Sequence, residues 1–270
     1  MNKILEVQIL TFALLIYSFI GCNESKSRSL EDLFLYSRST QNILNINYEN
    51  AFLNSGVNDI DYVTNQDIVK ITSEDANSGN FSIKTMVGTS SNYISYGKPR
   101  AESSTIRLKE SLYSEDEIWE YKFSVMLSKK WFLDKSSGTE IIWQFKRFNS
   151  PPDAFIAVKG DRIVFRYSDK QIVLFETIRP SIWMNFVIYI NWSSTNFGAI
   201  EIKYKFKDEN LKFIELEGAN MRNNKSKSGY LKWGLYRPDC LKENYHPCSE
   251  IQAEERTIFH DDISARKLSN

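Results

Sequence analysis

Between Trp119 and Leu127 every second residue is large and apolar: Trp119, Tyr121, Phe123, Val125 and Leu127 alternate with Glu120, Lys122, Ser124 and Met126. Side chains on an extended chain point to opposite faces in turn, so this spacing predicts a half-buried strand and not a helix. Ile200, Ile202, Tyr204 and Phe206 alternate in the same way with Glu201, Lys203 and Lys205. Further β-rich runs lie at Phe81 to Val87, Ser104 to Leu108, Glu140 to Phe148, Ala154 to Val158, Arg162 to Tyr167, Gln171 to Ile178, Trp183 to Trp192, Leu211 to Leu216, Tyr230 to Tyr236 and Thr257 to Ile263. Ser150-Pro151-Pro152-Asp153, Lys159-Gly160-Asp161 and Asp208-Glu209-Asn210 separate them as turns. About a dozen short strands at this spacing predict an all-β fold, an antiparallel two-sheet β-sandwich of jelly-roll type. Only Leu30 to Leu44 reads as helical.

Composition narrows the partners. With 42% hydrophobic and 14% aromatic residues the chain can fold, and 34 Lys+Arg against 34 Asp+Glu argue against a surface tuned throughout to a polyanion. A local basic groove stays open, and no nucleic-acid partner is expected. No repeat or linker interrupts Ile68 to Ile263, which predicts one domain; monomer is the expected state.

At the N-terminus, Lys3 precedes an apolar run from Ile9 to Ile20 broken by Thr11 and Ser18. The run is shorter than the about 20 residues a spanning helix needs. It ends in Phe19-Ile20-Gly21-Cys22, which resembles a bacterial lipobox. Residues 1–21 are therefore expected to be a lipoprotein signal peptide, 22–50 a tether and N-terminal segment, and 51–270 the single domain. Cys22 would carry lipid, placing the protein on the bacterial cell envelope, in the periplasm or on the outer-membrane surface, with membrane contact through the anchor alone. A buried N-terminal helix with a free Cys22 is the alternative, against which the polar stretch Asn23 to Ser29 speaks. In that oxidising compartment a disulfide between Cys240 and Cys248, flanked by Pro238 and Pro247, is the economical reading. His246 is the only other soft ligand nearby, which disfavours a metal site, and two free thiols remain the plain alternative.

Alternation also sorts polar residues by face. In Glu140 to Phe148 it sends Ile141, Trp143 and Phe145 to the core and Gln144 and Lys146 to the other surface. In Tyr230 to Tyr236 it buries Leu231, Trp233 and Leu235 and turns Lys232, Gly234 and Tyr236 outward. Arg100 and Glu102 share a face. A Gly between Lys and Tyr leaves a gap where a ligand can approach backbone. Taken alone, Lys232 and Tyr236 read as solvated sheet decoration, Arg100 and Glu102 as a cross-strand salt-bridge element worth little, and Trp143, Trp183, Trp192 and Trp233 as core rather than sugar-stacking platforms. Asp261 and Asp262 are candidates for a structural Ca2+, though two carboxylates are an incomplete set. His260 reads as a packed or hydrogen-bonded histidine.

In order along the chain, Arg100-Ala101-Glu102, Gln144-Phe145-Lys146, Ser150-Pro151-Pro152, Trp183, Trp192-Ser193 with Gly198, Lys232-Trp233-Gly234-Leu235-Tyr236-Arg237 and Asp261-Asp262-Ile263 resemble the landmarks of polysaccharide lyases of the heparin-lyase and glucuronan-lyase type. The resemblance covers Tyr96 to Ile263. It implies a concanavalin A-like jelly roll whose concave sheet binds an acidic polysaccharide and cleaves it by β-elimination, with no required cofactor. It also implies catalytic roles for Tyr236, Lys232 and Lys146 and substrate binding by Arg100, Glu102, Gln144 and Arg237. A phenol needs nearby cations to act as a base near neutral pH, and Lys232, Arg237 and Arg100 are the candidates.

The chain departs from that pattern at Lys146, where family members commonly carry His. Three readings follow: Tyr236 is both base and acid, Lys146 takes the missing role with a lowered pKa, or the protein binds carbohydrate without cleaving it. A laminarinase-like glycoside hydrolase on a similar fold would want a Glu-x-Asp-x-x-Glu strand, and no such string occurs.

Overall fold

The computed structural model describes residues 40–53, 57–61, 68–88, 91–131, 138–222, 228–240 and 255–268. Its strands are β1 (Thr40–Ile46), β2 (Asn58–Asp61), β3 (Val69–Thr72), β4 (Ser82–Val87), β5 (Ile94–Ser95), β6 (Lys98–Ser104), β7 (Ile118–Leu127), β8 (Thr139–Arg147), β9 (Pro152–Lys159), β10 (Arg162–Tyr167), β11 (Lys170–Phe175), β12 (Met184–Asn191), β13 (Ala199–Phe206), β14 (Lys212–Glu217), β15 (Gly229–Tyr236) and β16 (Arg256–Leu268). They form two antiparallel sheets. One has the order β14-β13-β12-β7-β16-β4-β3, with β1 on β16; the other runs β11-β10-β9-β8-β15-β6-β2, with β5 on β6. This is the β-sandwich jelly roll that the period-two pattern predicts.

The alternating apolar residues meet between the sheets. Phe123 of β7 stacks on Trp143 of β8 with ring centroids 3.8 Å apart, and Trp143 stacks on Trp233 of β15 at 5.9 Å. Trp119, Trp143, Trp192 and Trp233 are fully buried, and Trp183 is buried in a small cluster with Met126 and Phe259. Each such aromatic removes about 150–250 Å2 from water, about 4–6 kcal/mol at 25 cal/mol per Å2. These tryptophans are core, not stacking platforms.

Four expectations are corrected. Residues 40–44, inside the stretch expected to be helical, belong to β1; residues 30–39 lie outside the described part. β1 pairs with β16 from Thr40↔Leu268 to Ile46↔Ile263 and buries Leu44 and Ile46, so the sandwich begins before residue 51. Ser104 to Leu108 is not a strand. The strand ends at Ser104, whose hydroxyl accepts the Ile106 amide at 3.1 Å, while the Leu108 amide bonds the Thr105 carbonyl; local hydroxyl bonds of this kind compete with a ladder.

The third correction concerns β8. Its register against β9 passes from Trp143↔Ile156 to Ile141↔Ala157, two residues facing one, so a bulge lies at Ile142. Ile142 joins the main core with Trp143 and Phe145, and Ile141 moves to the outer face, packing with Ala157, Val164 and Tyr236. The fourth is burial: Lys232 lies on the outer face as expected, yet it is buried rather than solvated, as are Gln144 and Glu102 beside it.

Candidate active site

The site occupies the outer face of β6, β15 and β8, and register assembles it. β15 and β6 set Lys232 opposite Ser104, Gly234 opposite Glu102 and Tyr236 opposite Arg100. β15 and β8 set Tyr230 opposite Lys146 and Lys232 opposite Gln144, then slip past a second bulge to pair Tyr236 with Ile141. Gly234 has φ +130, and a Cβ there would lie 2.4 Å from the Ala101 carbonyl oxygen. A side chain at this position would push β15 off β6, so glycine is required by the close approach of two backbones.

At the floor, Glu102 joins two strands. Its Oε2 accepts from Lys232 Nζ at 2.6 Å and its Oε1 accepts from Gln144 Nε2. Lys232 is therefore salt-bridged and buried, and it supports the site from below. Above it, the Arg100 guanidinium lies 4.1 Å from the centre of the Tyr236 ring. Burial pushes the Tyr236 phenol above its usual value, and the positive charge of Arg100 opposes that rise without reversing it. The phenol thus keeps its proton at neutral pH.

Lys146 behaves in the opposite sense. Its amine is partly buried and donates to the Arg147 carbonyl at 3.1 Å. Burial, reinforced by the charges of Lys232, Arg147 and Arg100, pulls it down to about 8, with Glu102 alone opposing. Arg100 and Glu102 act on both Lys146 and Tyr236, so the two groups belong to one electrostatic cluster. The arrangement offers an amine that releases its proton near pH 8, a protonated phenol, and a guanidinium with an amide beside them.

Other expected site residues lie elsewhere. Arg237 is buried against Glu140 at 3.0 Å, and Glu140 also meets Arg256 at 3.3 Å. His260 on β16 is fully buried; its Nε2 meets the Ile142 carbonyl at 2.9 Å, so Nε2 carries the proton, and burial pulls the imidazole down to about 3. It holds the carbonyl of the bulge residue and takes no direct part in the cluster. Asp261 accepts the backbone amides of Asn77, Ser78 and Asp262, and Asp262 accepts from the Asn77 side-chain Nδ2 and the Ser78 hydroxyl. Among the described residues no group of three or more His, Cys, Asp or Glu side chains is placed to hold a metal ion. Cys240 is buried and disulfide-bonded. Residues 1–39, Cys22 among them, and His246 and Cys248 lie outside the described part.

One neighbouring pair escaped the sequence. Arg147 Nε and Asp153 Oδ1 lie 2.7 Å apart, and Asp153 Oδ2 accepts the Tyr113 hydroxyl at 3.0 Å, bracketing the Ser150-Pro151-Pro152 turn beside Lys146. The only signal was a charged residue at each end of that turn.

A family model described as polysaccharide lyase matches residues 45–264. Among solved structures, the endo-β-1,4-glucuronan lyase of the fungus Trichoderma reesei is similar at 19% identity and a TM-score of 0.55, covering 73% of this chain and 85% of that one. The alginate lyase of Klebsiella pneumoniae aligns at 11% identity and a TM-score of 0.51, over 74% and 84%. A β-glucanase catalytic domain from Podospora anserina aligns at 9% identity and a TM-score of 0.50, over 82% and 90%. At these identities the likeness concerns the fold. No curated protein matches the chain by sequence.

Proposed function

The chain belongs to the polysaccharide lyase family, and from that premise we propose that it cleaves a uronate-containing polysaccharide by β-elimination at the Arg100, Gln144, Lys146 and Tyr236 cluster. The observation that carries the reading is the pairing of opposite shifts around one guanidinium: a lysine amine lowered to about 8 and a phenol held protonated.

β-Elimination asks for three things. The uronate carboxylate must be neutralised so that charge developing on it is tolerable, and Arg100 and Gln144 meet it. The neutral Lys146 amine removes the C5 proton, and the electron pair of that C–H bond forms the C4–C5 double bond. The C4–O4 bond breaks, and Tyr236 gives its proton to the departing oxygen. The cycle closes when the proton gained by Lys146 returns to the phenolate through solvent. Lys146 thereby fills the place at which the family commonly has His, and Lys232 and Glu102 fix the floor on which Gln144 sits.

Incubation with polyglucuronate, alginate and heparin-like polymers, with ultraviolet absorbance following the unsaturated product, tests the reading. A rise on one polymer supports it; cleavage that exposes new reducing ends without that absorbance is hydrolysis and refutes it. On the same footing, the leader ending at Gly21-Cys22 supports a lipid-anchored envelope protein, and Cys22→Ser should release it from membranes.

A further inference from the structure

A straight row of cross-strand partners runs out of the site along the outer face. Lys232 faces Gln144, Gln144 faces Phe155 of β9, Phe155 faces Arg166 of β10, and Arg166 faces Gln171 of β11. At about 4.8 Å per strand, Arg166 stands about 14 Å from Lys232 along this row. Its guanidinium lies over the Phe155 ring, 5.9 Å from the centroid, and is exposed, as is Gln171. Beside this row the outer face is apolar: half-buried Phe155 packs against the cluster of Ile141, Ala157 and Val164. No acidic side chain stands in this row between Gln144 and Gln171.

We propose that Arg166, Phe155 and Gln171 form a distal subsite that grips the carboxylate and ring of a uronate some sugars away from the bond cleaved. The inference rests on the reading of the protein as a uronate-polymer lyase and adds where the chain lies: across the strands, from Arg100 toward β11. An extended polyanion laid in this direction meets a cation at each end and an apolar floor between them. Phe155 keeps the guanidinium close by a cation–π contact and adds apolar surface for a sugar ring, and Gln171 supplies an amide next to the carboxylate.

Binding of polyglucuronate and alginate, long chains and short oligosaccharides of each, is measured by affinity electrophoresis in a Tyr236→Phe background, which slows cleavage. Arg166→Ala should weaken binding of the long chain by about 10-fold, the scale of one charge-assisted contact, and affect the shortest oligosaccharide least. Arg166→Lys should recover part of the loss, and reduction of the polymer carboxyls should erase the difference between parent and variant. Lys212→Ala removes one positive charge from the opposite sheet and should bind as the parent does. Equal binding by Arg166→Ala and parent overturns the subsite, and so does an equal loss in Lys212→Ala, which would assign the effect to net charge. If the protein binds a uronate polymer but never yields unsaturated product, the lyase reading fails while the same titration still decides the subsite. Binding of neither polymer overturns both.

Discussion

The Lys232 ammonium lies 2.6 Å from the Glu102 carboxylate on the neighbouring strand, with each side chain 2% exposed. Replacing one partner of such a buried pair is expected to cost about 3–5 kcal/mol, because the remaining charge loses its counter-charge out of reach of water. Glu102→Gln should show this loss in urea unfolding. The double variant Glu102→Gln/Lys232→Met should be more stable than Glu102→Gln alone, and the reverse order would show that the pair does not carry the floor of the site.

Gly234→Ala is the backbone counterpart. The added Cβ meets the Ala101 carbonyl at 2.4 Å at a φ of +130. Strain of this kind costs about 1–3 kcal/mol before any strand displacement is counted. The variant should unfold earlier in urea and lose uronate-polymer cleavage beyond what its folded fraction explains. Unchanged kinetics would mean that β15 and β6 tolerate a wider gap.

The sandwich was legible because strands such as β7, β12 and β13 each keep one face in the core, and period two records that directly. The face of Gln144, Lys146, Lys232 and Tyr236 was legible for the same reason. The bulge was not read, although Ile141-Ile142-Trp143 breaks alternation with two adjacent branched residues, which is its signal. Burial of Lys232, the Arg147–Asp153 pair and the Arg166 row depend on which strands are neighbours, and one strand's sequence carries no record of its partner's register. β1 was misread because Leu30 to Leu44 lacks a clean period of two, and pairing with β16 overrides local preference.

His260 ties acid stability to the bulge. A solvated imidazole takes a proton at about 6.5, while burial delays this one to about 3. Between those values the unfolded chain binds more protons, so stability falls as pH drops, by about 1.4 kcal/mol per unit at most. Asp153 and Asp261, both raised to about 6 by burial, act in the opposite sense from about 6 down to about 4. His260→Gln keeps an N–H for the Ile142 carbonyl and removes the imidazole alone. The parent-minus-variant difference in unfolding free energy should shrink from pH 7 to pH 5; a flat difference would contradict the assignment.

On the proposed mechanism Lys146 sets the pH dependence of turnover. As a base lowered to about 8, it acts only when neutral, so kcat/KM should rise with pH through about 8 and then level. Lys146→His should move that limb to about 6.5, the ordinary imidazole value. If Tyr236 were the base instead, the limb would stand above the ordinary phenol value in both proteins, because burial raises the phenol.

The account stands most directly on Tyr236→Phe, which deletes one hydroxyl and keeps the ring beneath Arg100. The measurement is the rate at which unsaturated product appears from the proposed uronate-polymer substrate, alongside the affinity for the same polymer. The predicted result is a rate reduced about 100-fold or more with affinity largely retained, the mark of a group that acts in the transition state. Unsaturated product formed by Tyr236→Phe as fast as by the parent would contradict proton transfer by this residue.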